Sequence, residues 1–218
     1  MLLLLAAPLS LVGPKLTGPR QTLLYGSVAP HPLRVKQAIF DFAAETNGGS
    51  KASERDAAEF QVLAELLESN NPCKAPTGSM AAGAEIDGEW DQIYTSNTMG
   101  ITYGNGRLMK RKLIGPLSGR VTQLVDTSFG TYRQRIQTRL GLVRGQLDAE
   151  FTPVDAFTWA VTFKRFTVSA LRLPLRSRAA EYQGEWTHTY VDANTRIMRT
   201  KRAAGGGEFL FVLRRRLR

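Results

Sequence analysis

Two periods of apolar spacing divide this chain. From Leu33 to Glu45 the apolar positions Val35, Ala38, Ile39 and Phe42 recur at helical intervals, behind a proline, Pro32, placed where a first turn tolerates it. Asn47-Gly48-Gly49 then ends the run with residues suited to the left-handed conformation that closes a helix. Ser53 opens a second helix, with Asp56 three positions on as its capping-box partner. Ala57, Phe60, Leu63, Ala64 and Leu67 form its apolar stripe, and Asn70-Asn71-Pro72 stops it. The pattern predicts an αα-hairpin over residues 33–70 whose stripes need a surface to cover.

Beyond the small-residue stretch 75–83 the period drops to two. Alternation is legible over 89–96, 120–126, 131–139, 147–151, 157–163, 184–192, 196–200 and 208–213. One face of these segments collects Trp90, Tyr94, Phe151, Phe157, Trp159, Phe163, Trp186, Tyr190, Phe209 and Phe211. Trp90, Gln92 and Tyr94 fall on a single face, as do Trp186, His188, Tyr190 and Asp192. Short strands at regular spacing predict a mainly β (α+β) protein. Its expected core is an up-and-down antiparallel β-barrel of about eight strands over 84–214, preceded by the helical hairpin; closure removes exposed edges. A barrel of that size packs its own side chains or holds one apolar ligand.

Charge changes this picture. Residues 33–91 hold 11 acids and 5 bases, whereas 92–218 hold 8 acids and 22 bases, so an acidic hairpin precedes a strongly basic barrel. The overall charge of +10 calls for an anionic partner. Arg107, Lys110, Arg111, Lys112, Arg133, Arg135 and Arg139 are the candidates for docking on an anionic surface. The opening 1–30 is a separate matter. Leu2–Val12 is an apolar run too short to span a bilayer, Gly13–Arg20 is basic, and the first acid is Asp41. These features read as a targeting segment outside the fold.

Catalytic chemistry has little to draw on. A single cysteine, Cys73, and two histidines, His31 and His188, leave almost no ligands for a zinc site, and no metal is expected. Gly104-Asn105-Gly106 and Gly205-Gly206-Gly207 are turn glycines, because neither opens a helix. Asp192, His188 and Arg196 are the only plausible polar group for an active site, and the expectation is that the protein is not an enzyme.

Three segments in order resemble the plastid-lipid-associated protein (PAP, fibrillin, plastoglobulin) family. Gly88-Glu89-Trp90-Asp91-Gln92-Ile93-Tyr94-Thr95-Ser96 is similar to its Gly-x-Trp-x-Leu-x-Tyr-Thr-Ser opening strand. Thr46-Asn47-Gly48-Gly49 and Leu66 to Pro72 precede it; Tyr190-Val191-Asp192, Arg196-Ile197-Met198-Arg199 and Phe209 to Leu213 close the match. Gly-x-Trp is also shared with lipocalins. The resemblance implies a lipocalin-like barrel and a non-enzymatic plastid protein of the thylakoid membrane or plastoglobule, serving photoprotection. Its ligand would be an apolar lipid such as a carotenoid, quinone or fatty-acid derivative, with no other cofactor. Within the barrel, Trp90, Tyr94, Phe151, Trp159, Phe163, Trp186, Tyr190, Asp192 and Arg196 are the ligand candidates. The alternatives are an interaction subunit of a photosynthetic membrane complex and, less favoured, a nucleic-acid-binding barrel.

Overall fold

The computed structural model describes residues 31–77, 86–96, 118–138, 140–171, 173–202 and 208–216. Helices α1 (Pro32–Glu45) and α2 (Glu54–Glu68) form the hairpin. The nitrogen Nδ1 of His31 accepts from the Leu33 N–H to cap α1, and Ser53 and Asp56 complete the reciprocal capping box of α2. Among the described residues eight strands follow: β1 (Gly88–Thr95), β2 (Ser118–Asp126), β3 (Thr131–Thr138), β4 (Val143–Pro153), β5 (Thr158–Ala170), β6 (Leu173–Val191), β7 (Thr195–Arg202) and β8 (Phe209–Arg215). Each pairs antiparallel with the next, and β1 pairs with β8, so the sheet closes into an up-and-down barrel.

One end of the barrel, the base, is sealed. Trp90 is fully buried there, its indole N–H donates to the Ile86 carbonyl at 2.7 Å, and the Arg215 guanidinium lies 4.2 Å from its ring centroid. Arg215 also donates to the carbonyls of Asp87 and Ala193, each at 2.6 Å. At the other end, the mouth, β1 ends, β2 begins, and the β3–β4 and β5–β6 hairpins turn. Those two hairpins are joined, since the Leu171 N–H donates to the Leu142 carbonyl at 2.8 Å.

Strand β6 is the longest, at 19 residues, and begins eleven residues before its alternation becomes legible at Gly184. Residues 173–179 are exposed throughout, so no burial imposes a period of two on them. Ladder pairing to β5 defines the strand there instead.

The helical hairpin packs on the outer wall. Val35, Ile39, Phe42, Phe60, Leu63 and Leu67 share one buried cluster with Tyr94, Tyr190, Ile197, Leu210 and Val212. That placement depends on two β-bulges. In β1 the register against β8 slips between Gln92 and Tyr94, and in β6 the register against β7 slips between His188 and Tyr190. One extra residue in a strand reverses the facing of everything after it. Gln92 and His188 therefore point inward, while Tyr94 and Tyr190 point outward and pack against the hairpin.

Candidate functional site

The interior is layered. Its lower part is a closed core of Ile86, Trp90, Val125, Tyr132, Ala149, Phe151, Trp159, Val161, Trp186, Val191, Met198 and Leu213. Phe151 stacks on Trp159 at 3.8 Å, Tyr132 meets Trp186 edge-on at 4.6 Å, and Trp159 meets His188 edge-on at 4.2 Å. Toward the mouth, Val121, Gln134, Ile136, Phe163, Phe166, Val168, Phe209 and Phe211 continue the inward face but are only half-buried. The inward face is thus a closed floor with a largely apolar, half-buried upper ring, the cup, above it.

Polar groups lie in that floor. Arg196 is fully buried on β7, and its Nη2 donates to the Gln123 Oε1 of β2. Its Nε and Nη1 meet no protein acceptor. Its guanidinium carbon lies 5.1 Å from the Trp90 ring centroid. Burial lowers the Arg196 pKa to about 10, with the nearby Arg215 charge acting in the same direction. His188 is also fully buried with both ring nitrogens unpartnered; burial, then the Arg196 charge, holds it well below the usual histidine range. Gln92 Oε1 completes the set of unpartnered buried atoms facing this space. Gln123 is cross-strand neighbour to Gln134, which accepts a 2.8 Å bond from the Tyr132 hydroxyl and is half-exposed in the cup. A polar track therefore runs from Arg196 to the cup.

Of the ligand candidates, Trp90, Phe151, Trp159, Trp186 and Arg196 lie in the closed floor, and Phe163 lines the cup. Four expected positions are corrected. Tyr94, Tyr190 and Asp192 lie outside the barrel, because the bulges in β1 and β6 reverse their facing. Phe157, expected inside, precedes β5 and is 38% exposed. Asp192 is instead a wall residue: it accepts from Lys36 of α1, from the Tyr190 hydroxyl at 2.6 Å, and from the amides of Asn194 and Thr195. His188 and Asp192 face opposite sides of the wall, so they form no acid–base pair. Gln123 and Gln134 are polar interior side chains that the sequence pattern did not mark as candidates, and Gln92, on the Trp90 face by alternation, joins them.

Among the docking candidates, Arg133 and Arg135 point outward from β3 and are exposed, with Arg133 bonded to Asp148 at 2.7 Å. Arg107, Lys110, Arg111, Lys112 and Arg139 lie outside the described residues, as does the 1–30 segment. The hairpins at the mouth carry exposed aliphatic side chains. Leu140, Leu142 and Val143 on one, and Leu171, Leu173 and Leu175 on the other, are 41–79% exposed. Around them Arg144, Arg165, Arg176 and Arg178 are exposed, and neither 127–147 nor 156–180 contains an acid. Leu171 holds a left-handed backbone, φ 49°, where glycine or asparagine would sit at lower cost. On the outer wall, a separate open groove of about 570 Å³ is bordered by Glu68, Phe157 and Thr187.

A family model, PAP_fibrillin, matches residues 33–214. No curated protein matches the chain.

Proposed function

The chain belongs to the PAP/fibrillin family of plastid lipid-associated proteins, and from that premise we propose that it is a non-enzymatic lipid holder that docks peripherally on thylakoid or plastoglobule surfaces. The observation that carries docking is the arginine-rimmed aliphatic tip at the barrel mouth. A leucine passing from water into an apolar phase gains roughly 1.5–3 kcal/mol, so two or three tip side chains suffice for reversible attachment. Basic residues within reach of an anionic headgroup layer contribute about 1 kcal/mol each. Leu171 supports the same reading, because a left-handed non-glycine residue costs on the order of 1–2 kcal/mol and nothing inside the fold needs its exposed side chain. The half-buried apolar cup behind the tip is the place for the apolar lipid, a carotenoid, quinone or fatty-acid derivative. The tip residues are aliphatic, which suits acyl chains rather than the aromatic stacking that single-stranded nucleic acid uses.

Flotation with vesicles tests docking. The protein is expected to float with anionic vesicles, less with neutral ones, and the doubly substituted Leu171→Asp/Leu173→Asp protein is expected to stay at the bottom while keeping its β-rich circular dichroism. Equal flotation of the two proteins would remove the tip from the reading. An acidic protein partner instead of a membrane would show as competition that leaves vesicle binding at background.

A further inference from the structure

Arg196 presents a problem the rest of the molecule does not resolve. A guanidinium offers five N–H donors in a rigid fork and is matched by planar anions, two oxygens to one face. Here the group has no exposed surface, one bond to a neutral amide, and two nitrogens without a protein acceptor. No carboxylate faces it among the described ion pairs: Asp91, Asp148, Glu150, Asp192 and Glu89 are all engaged on the outer side of the wall or at the rim. Burying an unpaired charge costs several kcal/mol, and proteins normally compensate it with a partner.

The surroundings add to the imbalance. His188 and Gln92 contribute further unpartnered buried atoms, and Arg215 brings a second positive charge to the Trp90 ring. With a pKa of about 10, Arg196 remains charged at neutral pH. The fixed field at the floor is therefore cationic, while the walls above it are apolar. Among the described residues Gln123 is the one acceptor on the Arg196 guanidinium, and its cross-strand neighbour Gln134 already reaches the half-exposed cup.

We propose that the floor of the barrel is a headgroup site, in which Arg196, with Gln123 as its exchangeable partner, receives the carboxylate of an anionic single-chain lipid whose apolar tail fills the cup. The proposal rests on the lipid-holding reading above and narrows it from apolar lipids in general to those ending in a carboxylate. Rotation of Gln123 away from Arg196 would free Nη2, and the carboxylate would take Nη2 and Nη1 together. The amide of Gln123 would then donate to the same headgroup. Phe163, Phe166 and Phe211 would contact the tail.

The test uses cis-parinaric acid and its methyl ester, which share a chain and differ only in the charge of the head. Binding is read by energy transfer from the interior tryptophans at mildly alkaline pH, where the acid is ionised. A charge-assisted hydrogen bond to a buried guanidinium implies a preference for the acid of about tenfold or more. Arg196→Met is expected to abolish that preference, bringing the affinity for the acid down to that for the ester. Should the methionine variant fail to fold, the wild-type comparison still decides. Equal affinity for acid and ester would overturn the headgroup site while leaving lipid holding intact. Failure of both probes to bind, in a protein that still floats with vesicles, would overturn the site and the holding role and leave docking standing.

Discussion

At Gly49 the backbone turns with φ 90° directly against β1, and an added Cβ would lie 2.4 Å from the Thr95 carbonyl oxygen. The neighbouring Gly48 carbonyl accepts from the Thr95 N–H at 3.2 Å, so this turn is the clasp between hairpin and barrel. Gly49→Ala combines a left-handed strain with a backbone clash. It is expected to destabilise the protein by more than about 1 kcal/mol, read as a lower urea midpoint with unchanged slope. Asn47-Gly48-Gly49 was legible in the sequence because its backbone requirement excludes most other residues. Tyr94 and Tyr190 were not, because each follows a bulge, and no residue type in Gln92-Ile93-Tyr94 or His188-Thr189-Tyr190 announces one. Their outward facing follows from what they meet: Phe60 stacks on Tyr94 at a centroid separation of 3.5 Å and an interplanar angle of 16°. Burial, with Asp56 nearby, pushes the Tyr94 hydroxyl up to about 12, so it stays neutral in that contact.

Among elements, the joint between α1 and the β6–β7 turn is electrostatic as well as apolar. Burial would raise the Asp192 carboxyl, but bonds from Lys36, Tyr190 and two backbone amides outweigh it and hold the group below the usual carboxylate range. A carboxyl depressed in the folded state contributes stability that is complete above its unfolded value, about 3.9, and is lost as pH falls through the lower folded value. Asp192→Asn is therefore expected to cost about 2 kcal/mol near neutrality. It should also flatten the loss of stability below about pH 4, followed by urea midpoints at descending pH. An acid limb unchanged by the substitution would show that another carboxylate governs it. Element boundaries were readable where one face is buried and the other wet, as along β3. They were lost in the first half of β6, where Leu173–Ala179 is wet on both faces and Pro174 argues against a strand.

At the scale of the whole molecule, two ends with opposite tasks emerge. The base is closed by Trp90 and Arg215, whereas the mouth carries both the cup and the aliphatic hairpin tips. Charge asymmetry was visible in the sequence, yet its geometry was not: alternation put the arginines outside without showing that two acid-free hairpins would converge on one rim. That convergence has a kinetic consequence. If the tips seat the mouth against a lipid surface, a ligand enters the cup during contact with that surface rather than after crossing water. Transfer of cis-parinaric acid from anionic vesicles to the protein is therefore expected to quicken in proportion to vesicle concentration. Raising salt should slow it, because exposed charges separated by more than about 10 Å are largely screened at 0.1 M ionic strength. In the Leu171→Asp/Leu173→Asp protein the same transfer should become slow and independent of vesicle concentration, limited by escape of the lipid into water, while the equilibrium affinity is unchanged because the floor and its Arg196 are intact. Stopped-flow energy transfer from the barrel tryptophans separates the two regimes. Concentration-independent transfer in the unsubstituted protein would mean that docking and loading use different faces.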